Sequence, residues 1–284
     1  MTNPQHIILF HHFRRLLEAA AVEGIDVAPL KGAHLLTGVY PDNEDRGVMS
    51  DVDFLVRNRD WPRTLELMTE LGFERRDHFT DESLAHEAGF YLHVDDTRKI
   101  LFEPHRYLFE PGRFTIDHEA LWERSFESTF DGTPCRRLAP EDHFCHIAFH
   151  ATIHRLMSLE RTVRDLDLLL RSEGRDGVPV NDFPEKIVRR ARDWKVTRSV
   201  WLFFSLIAEV RDDPELDAVA ASIAPVRPIR SSIRLMVPDS RGTRLNRLNH
   251  RIAAAVLWPV LFDNPLLVAR FVANHPLVSK PHSS

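Results

Sequence analysis

The segment from Asp51 to Val56 constrains the fold of this chain more than any other stretch of its sequence. Side chains at alternate positions of a β-strand point to the same face, so Asp51 and Asp53 share one face while Val52 and Phe54 share the other. Two carboxylates this close repel each other unless a proton or a cation separates them. The segment therefore predicts either a strand that holds a divalent metal such as Mg²⁺ or a solvated strand edge.

A second candidate strand, residues 25–30, runs directly into Lys31, Gly32 and Ala33, where a helix begins. A glycine lets the backbone approach a phosphate closely, and the amides at the start of a helix favour anions. Lys31 adds a positive charge at the same point. The bend is a candidate phosphate-binding turn, with an ordinary turn as the alternative.

A third acidic side chain lies on the candidate strand that covers residues 99–105. Leu101, Glu103 and His105 share one face of this strand, so Glu103 lies beside the aspartate pair if the two strands are neighbours. A glutamate at a buried edge is the alternative interpretation. Pro104 has no N–H for the sheet and predicts an edge strand or a bulge.

The patterns divide the chain into two halves and predict the α+β class. The first half, residues 1–135, mixes helix and strand patterns around a small β-sheet. From residue 136 to 284 the periodicity is mainly helical, and we expect this half to close the cleft that holds the site. The helical segments cover residues 140–172, 183–210, 214–224 and 241–274.

Three histidines, His146, His150 and His154, recur every four residues and therefore share one helix face. A zinc site is one interpretation, but the glutamate of an HExxH motif is absent. We favour a polar wall facing the cleft, with His150 facing the substrate. Other histidines, among them His86 and His143, show no pattern.

Composition limits the location and the partners of the protein. The chain has 37 Lys+Arg and 42 Asp+Glu, a formal net charge of −5, which disfavours a general nucleic-acid coat. Its two cysteines and the lack of an export signal favour the cytoplasm. Residues 252–262 are too short an apolar run for the roughly 20 residues that span a bilayer. The arginines within 227–251 indicate the solvated face of a helix, with a surface for RNA or an acidic peptide as the alternative.

As a set, these motifs resemble the nucleotidyltransferases related to DNA polymerase β, and more closely an uncharacterised nucleotidyltransferase family. The resemblance covers about residues 5–275 and is strongest over about 28–110. The chain departs from the pattern of the wider superfamily at Ala33, where a serine or glycine is usual, and from the expected pattern of the closer family at Pro104, where a leucine is usual. The residues that carry the resemblance are Leu30, Lys31, Gly32, Ala33, Tyr40, Arg46, residues 51–56, Glu103, Pro104, His105, His146, His150, His154, Arg164, Asp165 and Leu166.

The resemblance implies a small mixed sheet and Mg²⁺-dependent transfer of a nucleoside monophosphate from an NTP to a hydroxyl. Asp51 and Asp53 would hold two Mg²⁺ ions, and Glu103 would complete the second site or act as a base. The acceptor is a small molecule, a peptide or protein, or RNA, and the first two are favoured. The phosphate-binding set is Lys31, Gly32, Ala33 and Arg46, and the substrate-facing set is His105, His150 and Asp165.

Two other functions stay open at this point. The altered turn and Pro104 are compatible with a catalytically silent, antitoxin-like module that binds a nucleotide without turnover. A metal hydrolase built from the histidines of residues 146–165 is the weaker alternative.

Overall fold

A computed structural model describes residues 4–40, 46–47, 49–76, 85–95, 98–110, 116–172, 182–225 and 258–264. The chain divides into two compact units, Met1–His143 and Phe144–Ser284. The arginine-rich stretch 227–251 and most of the segment 241–274 lie outside the described residues.

The first unit combines four helices with seven strands over its described residues. The strands predicted within 25–30, 51–56 and 99–105 are present, as is the helix predicted to begin at residues 31–33. The elements are α1 (Pro4–Val22), β1 (Val27–Pro29), α2 (Lys31–Gly38), β2 (Asp51–Val56), α3 (Trp61–Glu70), β3 (Glu74–Arg75), β4 (Phe90–His93), β5 (Lys99–His105), α4 (His118–Arg124), β6 (Phe126–Phe130) and β7 (Thr133–Arg137).

Five of the strands form a mixed sheet in the order β1-β2-β5-β4-β3, which confirms the predicted α+β class. Strands β2 and β5 run parallel, whereas β1 and β4 pair antiparallel to them. The apolar face of β2 and β5 packs on α1, where the Phe13 ring lies 5.6 Å from that of Phe54 and 6.5 Å from that of Phe102. Because side chains alternate along a strand, Asp53 and Glu103 point away from this core.

The prediction that Pro104 marks an edge strand or a bulge is wrong. Strand β5 lies inside the sheet, and Pro104 pairs with Phe54 in a register that continues to His105. The Pro104 carbonyl accepts the Ala88 amide at 3.0 Å, beyond the last β4 pair at Phe102. Since the N–H and C=O of one strand residue point the same way, the missing N–H faces Ala88 on the β4 side, and the ladder to β2 loses no hydrogen bond.

The second unit is helical, and two predicted helices are each divided. Residues 140–172 form α5 (Pro140–Ile153) and α6 (Leu159–Ser172), because Arg155 and Leu156 adopt φ of 54° and 57°. Residues 183–210 likewise divide at Lys195, with φ of 58°. The remaining elements are α7 (Phe183–Trp194), α8 (Thr197–Arg211), α9 (Pro214–Ser222) and a 3₁₀ turn (Trp258–Leu261).

Asp263 fixes the start of α8. Its carboxylate accepts the backbone N–H of Thr197 at 2.9 Å and that of Arg198 at 2.8 Å. These amides have no partner within the helix itself, so the carboxylate stabilises the first turn. In the part of the chain that the structure describes, no helix is both long and apolar enough to cross a membrane.

Candidate active site

The bend between β1 and α2 aims Lys31 at the polar face of the sheet. Lys31 has a φ of 43°, in the left-handed region that a side-chain-bearing residue seldom adopts. Its backbone N–H donates to Nε2 of His143 at 3.1 Å, and its ammonium donates to Oδ1 of Asp53 at 2.7 Å. Strained backbone of this kind concentrates at functional sites, where the surrounding structure holds it in place.

Asp53 is the most deeply buried acid of the site, with 4% of its surface exposed. Oδ1, which accepts the Lys31 ammonium, also lies 3.1 Å from Nε2 of His105. Burial alone would raise the pKa of Asp53, but the charge of Lys31 and the hydrogen bond to His105 hold it well below its usual range. Asp53 is therefore an ionised carboxylate inside the protein.

Glu103 lies directly opposite Asp53, because these two residues are register partners in the parallel strands β2 and β5. Burial and the nearby charges of Asp53 and Glu87 raise the pKa of Glu103 to about 7. Burial and the charge of Asp53 also raise the pKa of Asp51. Three carboxylates thus gather around the ammonium of Lys31, which favours the addition of a further cation.

Gly32 leaves space for the guanidinium of Arg46. A Cβ atom added to Gly32 would lie 2.7 Å from Nη1 of Arg46 and 2.8 Å from Sδ of Met49. Arg46 is therefore brought to the same bend as Lys31, although the loop before β2 separates them in sequence. The two cations suit the phosphate-binding role that the sequence predicts for this bend.

Ala33 is brought to the bend but faces inward. Its methyl group is buried in the hydrophobic core, and its N–H donates to the Leu30 carbonyl at 3.1 Å. The amide is thus already used within the turn, so an incoming phosphate would meet Lys31, Gly32 and Arg46 first.

Sequence reasoning missed two residues that contact the site. His143 holds the bend by accepting the Lys31 amide, and Glu87 lies beside His105, with its Oε2 atom 3.4 Å from Nδ1. Although burial opposes it, the hydrogen bond to His86 and the charge of His105 lower the pKa of Glu87 to about 2. Glu87 has no periodic pattern around it, whereas His143 lies three residues before His146, a helical spacing that could have joined it to the histidine row of α5.

The remaining predicted residues lie in the second unit. His150 is on α5, with its ring 4.2 Å from that of His154 and 6.1 Å from that of His146. Asp165 is buried on α6. Their contact with a substrate stays a prediction. Over the described ranges, three metal-binding side chains come together at His86, Glu87 and His105 and nowhere on α5 or α6, so the hydrolase hypothesis gains no support.

A mixed sheet with acids on two neighbouring parallel strands and a lysine-bearing bend beside them defines a protein of the nucleotidyltransferase class. The chain belongs to the family of uncharacterised nucleotidyltransferases, which matches residues 2–212.

Two solved structures are similar to the chain. An antigenic nucleotidyltransferase-like protein from Paracoccidioides brasiliensis is 16% identical, with 75% of this chain and 92% of that chain covered and a TM-score of 0.48. The antibiotic-resistance factor ANT(2'')-Ia is 12% identical, with 76% of this chain and 91% of that chain covered and a TM-score of 0.37. No curated protein matches the chain.

Proposed function

We propose that this protein is an active nucleotidyltransferase that moves a nucleoside monophosphate from an NTP to a hydroxyl group, with Mg²⁺ as its metal. The observation that carries the proposal is the register of Asp53 and Glu103 on adjacent parallel strands, with Lys31 and Arg46 at the neighbouring bend. The site thus combines acids suited to a metal with cations suited to a triphosphate.

The acidic side chains fit Mg²⁺ by their chemistry. Asp51, Asp53 and Glu103 offer carboxylate oxygens, the ligands that Mg²⁺ prefers. Burial and then the charges of neighbouring carboxylates raise the pKa of Asp51 and of Glu103, so a cation bound beside them would stabilise their ionised forms. These three residues would hold Mg²⁺, two ions by analogy with the family. Bound Mg²⁺ supplies neutralisation of triphosphate charge and a lower pKa for the acceptor hydroxyl.

The basic residues would position the triphosphate. The Lys31 ammonium, now on Asp53, lies where it can turn to a phosphate oxygen, and the Arg46 guanidinium offers a bidentate contact. Gly32 has no side chain, which lets the Arg46 guanidinium lie against this bend. Orientation and charge neutralisation of this kind supply much of the rate enhancement in phosphoryl and nucleotidyl transfer.

In the reaction, the acceptor oxygen forms a bond to the α-phosphorus while the bond between the α-phosphorus and the bridging oxygen breaks. Pyrophosphate leaves with that oxygen, and the hydroxyl proton passes to a base. Glu103 is our candidate base if it does not bind metal, because its pKa of about 7 suits proton transfer at neutral pH.

A small molecule or a peptide is the acceptor that we favour over RNA. The net charge of −5 gives no general attraction to a nucleic acid. We propose that His150 and Asp165 contact the acceptor. A cytoplasmic location is proposed with it, since both Cys135 and Cys145 are free thiols.

The test is transfer of label from each α-³²P-labelled NTP, with Mg²⁺, to panels of hydroxyl-bearing small molecules, peptides and RNA. We expect transfer by the wild type and at least a hundredfold loss in Asp51→Asn. Glu66→Gln, an exposed acid on α3, is the matched control and keeps full activity. Equal label transfer by Asp51→Asn and the wild type would contradict the assigned role.

A catalytically silent module is the second candidate, favoured by Ala33 in the turn where the wider superfamily has a serine or glycine. Calorimetry separates the two candidates. Binding of an NTP without any need for Mg²⁺, together with no label transfer to any acceptor, supports the module. Binding that requires Mg²⁺ supports the enzyme.

A further inference from the structure

Three side chains outside the proposed Mg²⁺ set converge at the carboxyl end of β5. Oε2 of Glu87 lies 3.3 Å from Nε2 of His86 and 3.4 Å from Nδ1 of His105. All three ligand atoms lie within 4.8 Å of one another. Two imidazoles and one carboxylate form a ligand set that binds zinc in many proteins.

The hydrogen bonding of His105 determines which ring nitrogen has a free lone pair. Nε2 faces Oδ1 of Asp53, an ionised carboxylate that can only accept, so Nε2 carries the hydrogen and donates. In the neutral ring, Nδ1 then has the lone pair. The His105 side chain is 3% exposed, and its Nδ1 makes no hydrogen bond among the residues described.

When the His105 ring is neutral, its Nδ1 and Oε2 of Glu87 face each other as two acceptors at 3.4 Å. Two lone pairs repel at this distance unless a cation or a proton lies between them. In a tetrahedral zinc site with bonds of about 2.0–2.1 Å, neighbouring ligand atoms lie about 3.3 Å apart. The two distances from Glu87 Oε2 match that spacing.

We propose that His86, Glu87 and His105 form a binding site for one Zn²⁺ ion, with water as the fourth ligand. The site is separate from the Mg²⁺ site of the proposed function, because it uses imidazole nitrogens, which bind zinc far better than magnesium. Asp53 joins the two sites as the carboxylate that orients His105, the usual arrangement behind a zinc-bound histidine.

The zinc ion would fix the segment before β4 to the end of β5. Glu87 and His105 already form an isolated β-bridge, and the His86 carbonyl accepts the Arg106 amide at 2.9 Å. The backbone thus holds both sides of the site close together before any ion binds. A zinc ion there would also keep the His105 ring directed at Asp53, so His105 would act as a positioning residue rather than touch the substrate.

The test is zinc binding to full-length protein that has been stripped of metal with a chelator. Zn²⁺ is titrated in competition with a chromogenic chelator, with millimolar Mg²⁺ present so that Asp51, Asp53 and Glu103 are occupied by the harder ion. We expect one equivalent of tightly bound zinc. Glu87→Gln and His86→Ala each weaken it at least tenfold, and Asp53→Asn weakens it about 10- to 100-fold through His105.

Two control variants separate this site from other histidines. His93→Ala removes an exposed histidine of the same sheet, which pairs with Glu74, and should leave zinc binding unchanged. A His150→Ala, His154→Ala double variant removes two histidines of α5 and the turn after it that are not fully buried. It too should leave the binding unchanged. Co²⁺ in place of Zn²⁺ should give the intense visible absorption of a four-coordinate ion.

Two results would overturn the proposal. Absence of bound zinc in the wild type would mean that a proton lies between Glu87 and His105. Equal zinc affinity of Glu87→Gln and the wild type would place the zinc elsewhere. Glu87→Gln conserves shape, and its circular dichroism shows whether the variant folds. Neither readout depends on transferase activity, so failure of the proposed function leaves this test intact.

Discussion

The ammonium nitrogen of Lys31 lies 2.7 Å from Oδ1 of Asp53, and the same oxygen lies 3.1 Å from Nε2 of His105. The β1–α2 bend, β2 and β5 therefore meet at one buried oxygen atom. A buried charge is stable only while its partners remain, so this contact links the stability of the first unit to the residues proposed for nucleotide chemistry.

A double-mutant cycle on Lys31 and Asp53 tests this link. Asp53→Asn removes the carboxylate that accepts the Lys31 ammonium and should lower the free energy of unfolding by about 3–5 kcal/mol. Lys31→Met should cost less, because Asp53 keeps its contact with His105. The double variant should be more stable than the sum of the singles by about 0.5–3 kcal/mol. Urea unfolding without Mg²⁺ measures all four proteins, and strictly additive effects would contradict the coupling.

Two glycines of the same helix make a matched pair of substitutions. Gly32→Ala pushes the far ends of Arg46 and Met49, which are flexible, so it should change stability by less than about 1 kcal/mol. Displacement of Arg46 should weaken binding of the Mg²⁺–NTP complex about tenfold or more, since a hydrogen bond to a charged group contributes about 1.5–3 kcal/mol. Calorimetry with a non-hydrolysable NTP measures the affinity.

Gly38→Ala is the control, with the opposite expectation. Its added methyl would overlap Nη1 of Arg137, a guanidinium that is held by the His34 carbonyl at 3.1 Å and by Thr37 at 3.0 Å. Overpacking against an anchored group costs about 1–3 kcal/mol. We expect lower stability with an unchanged nucleotide affinity in the variant that folds. If Gly32→Ala instead behaves like Gly38→Ala, Arg46 has no role in nucleotide binding.

The sequence predicts β2 to the residue, because Asp51 and Asp53 alternate with the apolar Val52 and Phe54. The helices α1 and α3 follow from their periodicity and from the turn residues around them. Sequence reasoning misses the hairpin of β6 and β7, although Asp131 and Gly132, both with positive φ, are a typical two-residue hairpin turn.

The site itself could be predicted only in part. The spacing gives the shared face of Asp51 and Asp53, but the register with Glu103 depends on the pairing of two strands that are distant in sequence. The helical spacing of His143 and His146 does not show that His143 contacts Lys31, which is distant in sequence, and Glu87 has no periodic signal. The break between α5 and α6 falls at Arg155 and Leu156, which adopt a left-handed backbone without a glycine or proline to indicate it.

Buried histidines make the stability of the first unit depend on pH. Burial and then the charge of Arg137 lower the pKa of His143 to about 3, against 6.5 for a free histidine, and the pKa of His34 beside it is lowered well below 6.5. The unfolded chain therefore binds protons that the folded chain does not between about pH 3 and 6.5, and stability falls as the pH is lowered through this range.

His143→Gln tests the contribution of that ring. Glutamine still offers an acceptor for the Lys31 amide but cannot be protonated, so the loss of stability from about pH 6.5 towards about pH 4 should be shallower than in the wild type. Denaturant midpoints at half-unit steps of pH measure the slope. Parallel curves for the two proteins would mean that His143 is not a source of the acid sensitivity.

Glu103→Gln distinguishes a metal ligand from a base, and we expect a ligand. Glu103 is the register partner of Asp53, so the two carboxylates point from adjacent strands to the same side of the sheet. Replacing one of them with an amide removes a negative charge from the metal and should raise the Mg²⁺ concentration needed for half-maximal transfer about tenfold or more.

The decisive measurement is the Mg²⁺ dependence of both transfer and NTP binding, compared between Glu103→Gln and the wild type. If Glu103 is a metal ligand, Glu103→Gln weakens both transfer and NTP binding, and the lost transfer rate returns in part as the Mg²⁺ concentration rises. If Glu103 is a base, Glu103→Gln lowers the transfer rate alone. The Mg²⁺ requirement of NTP binding is then unchanged, and more Mg²⁺ does not restore the rate. The second pattern would remove Glu103 from the metal site and leave Asp51 and Asp53 as its protein ligands.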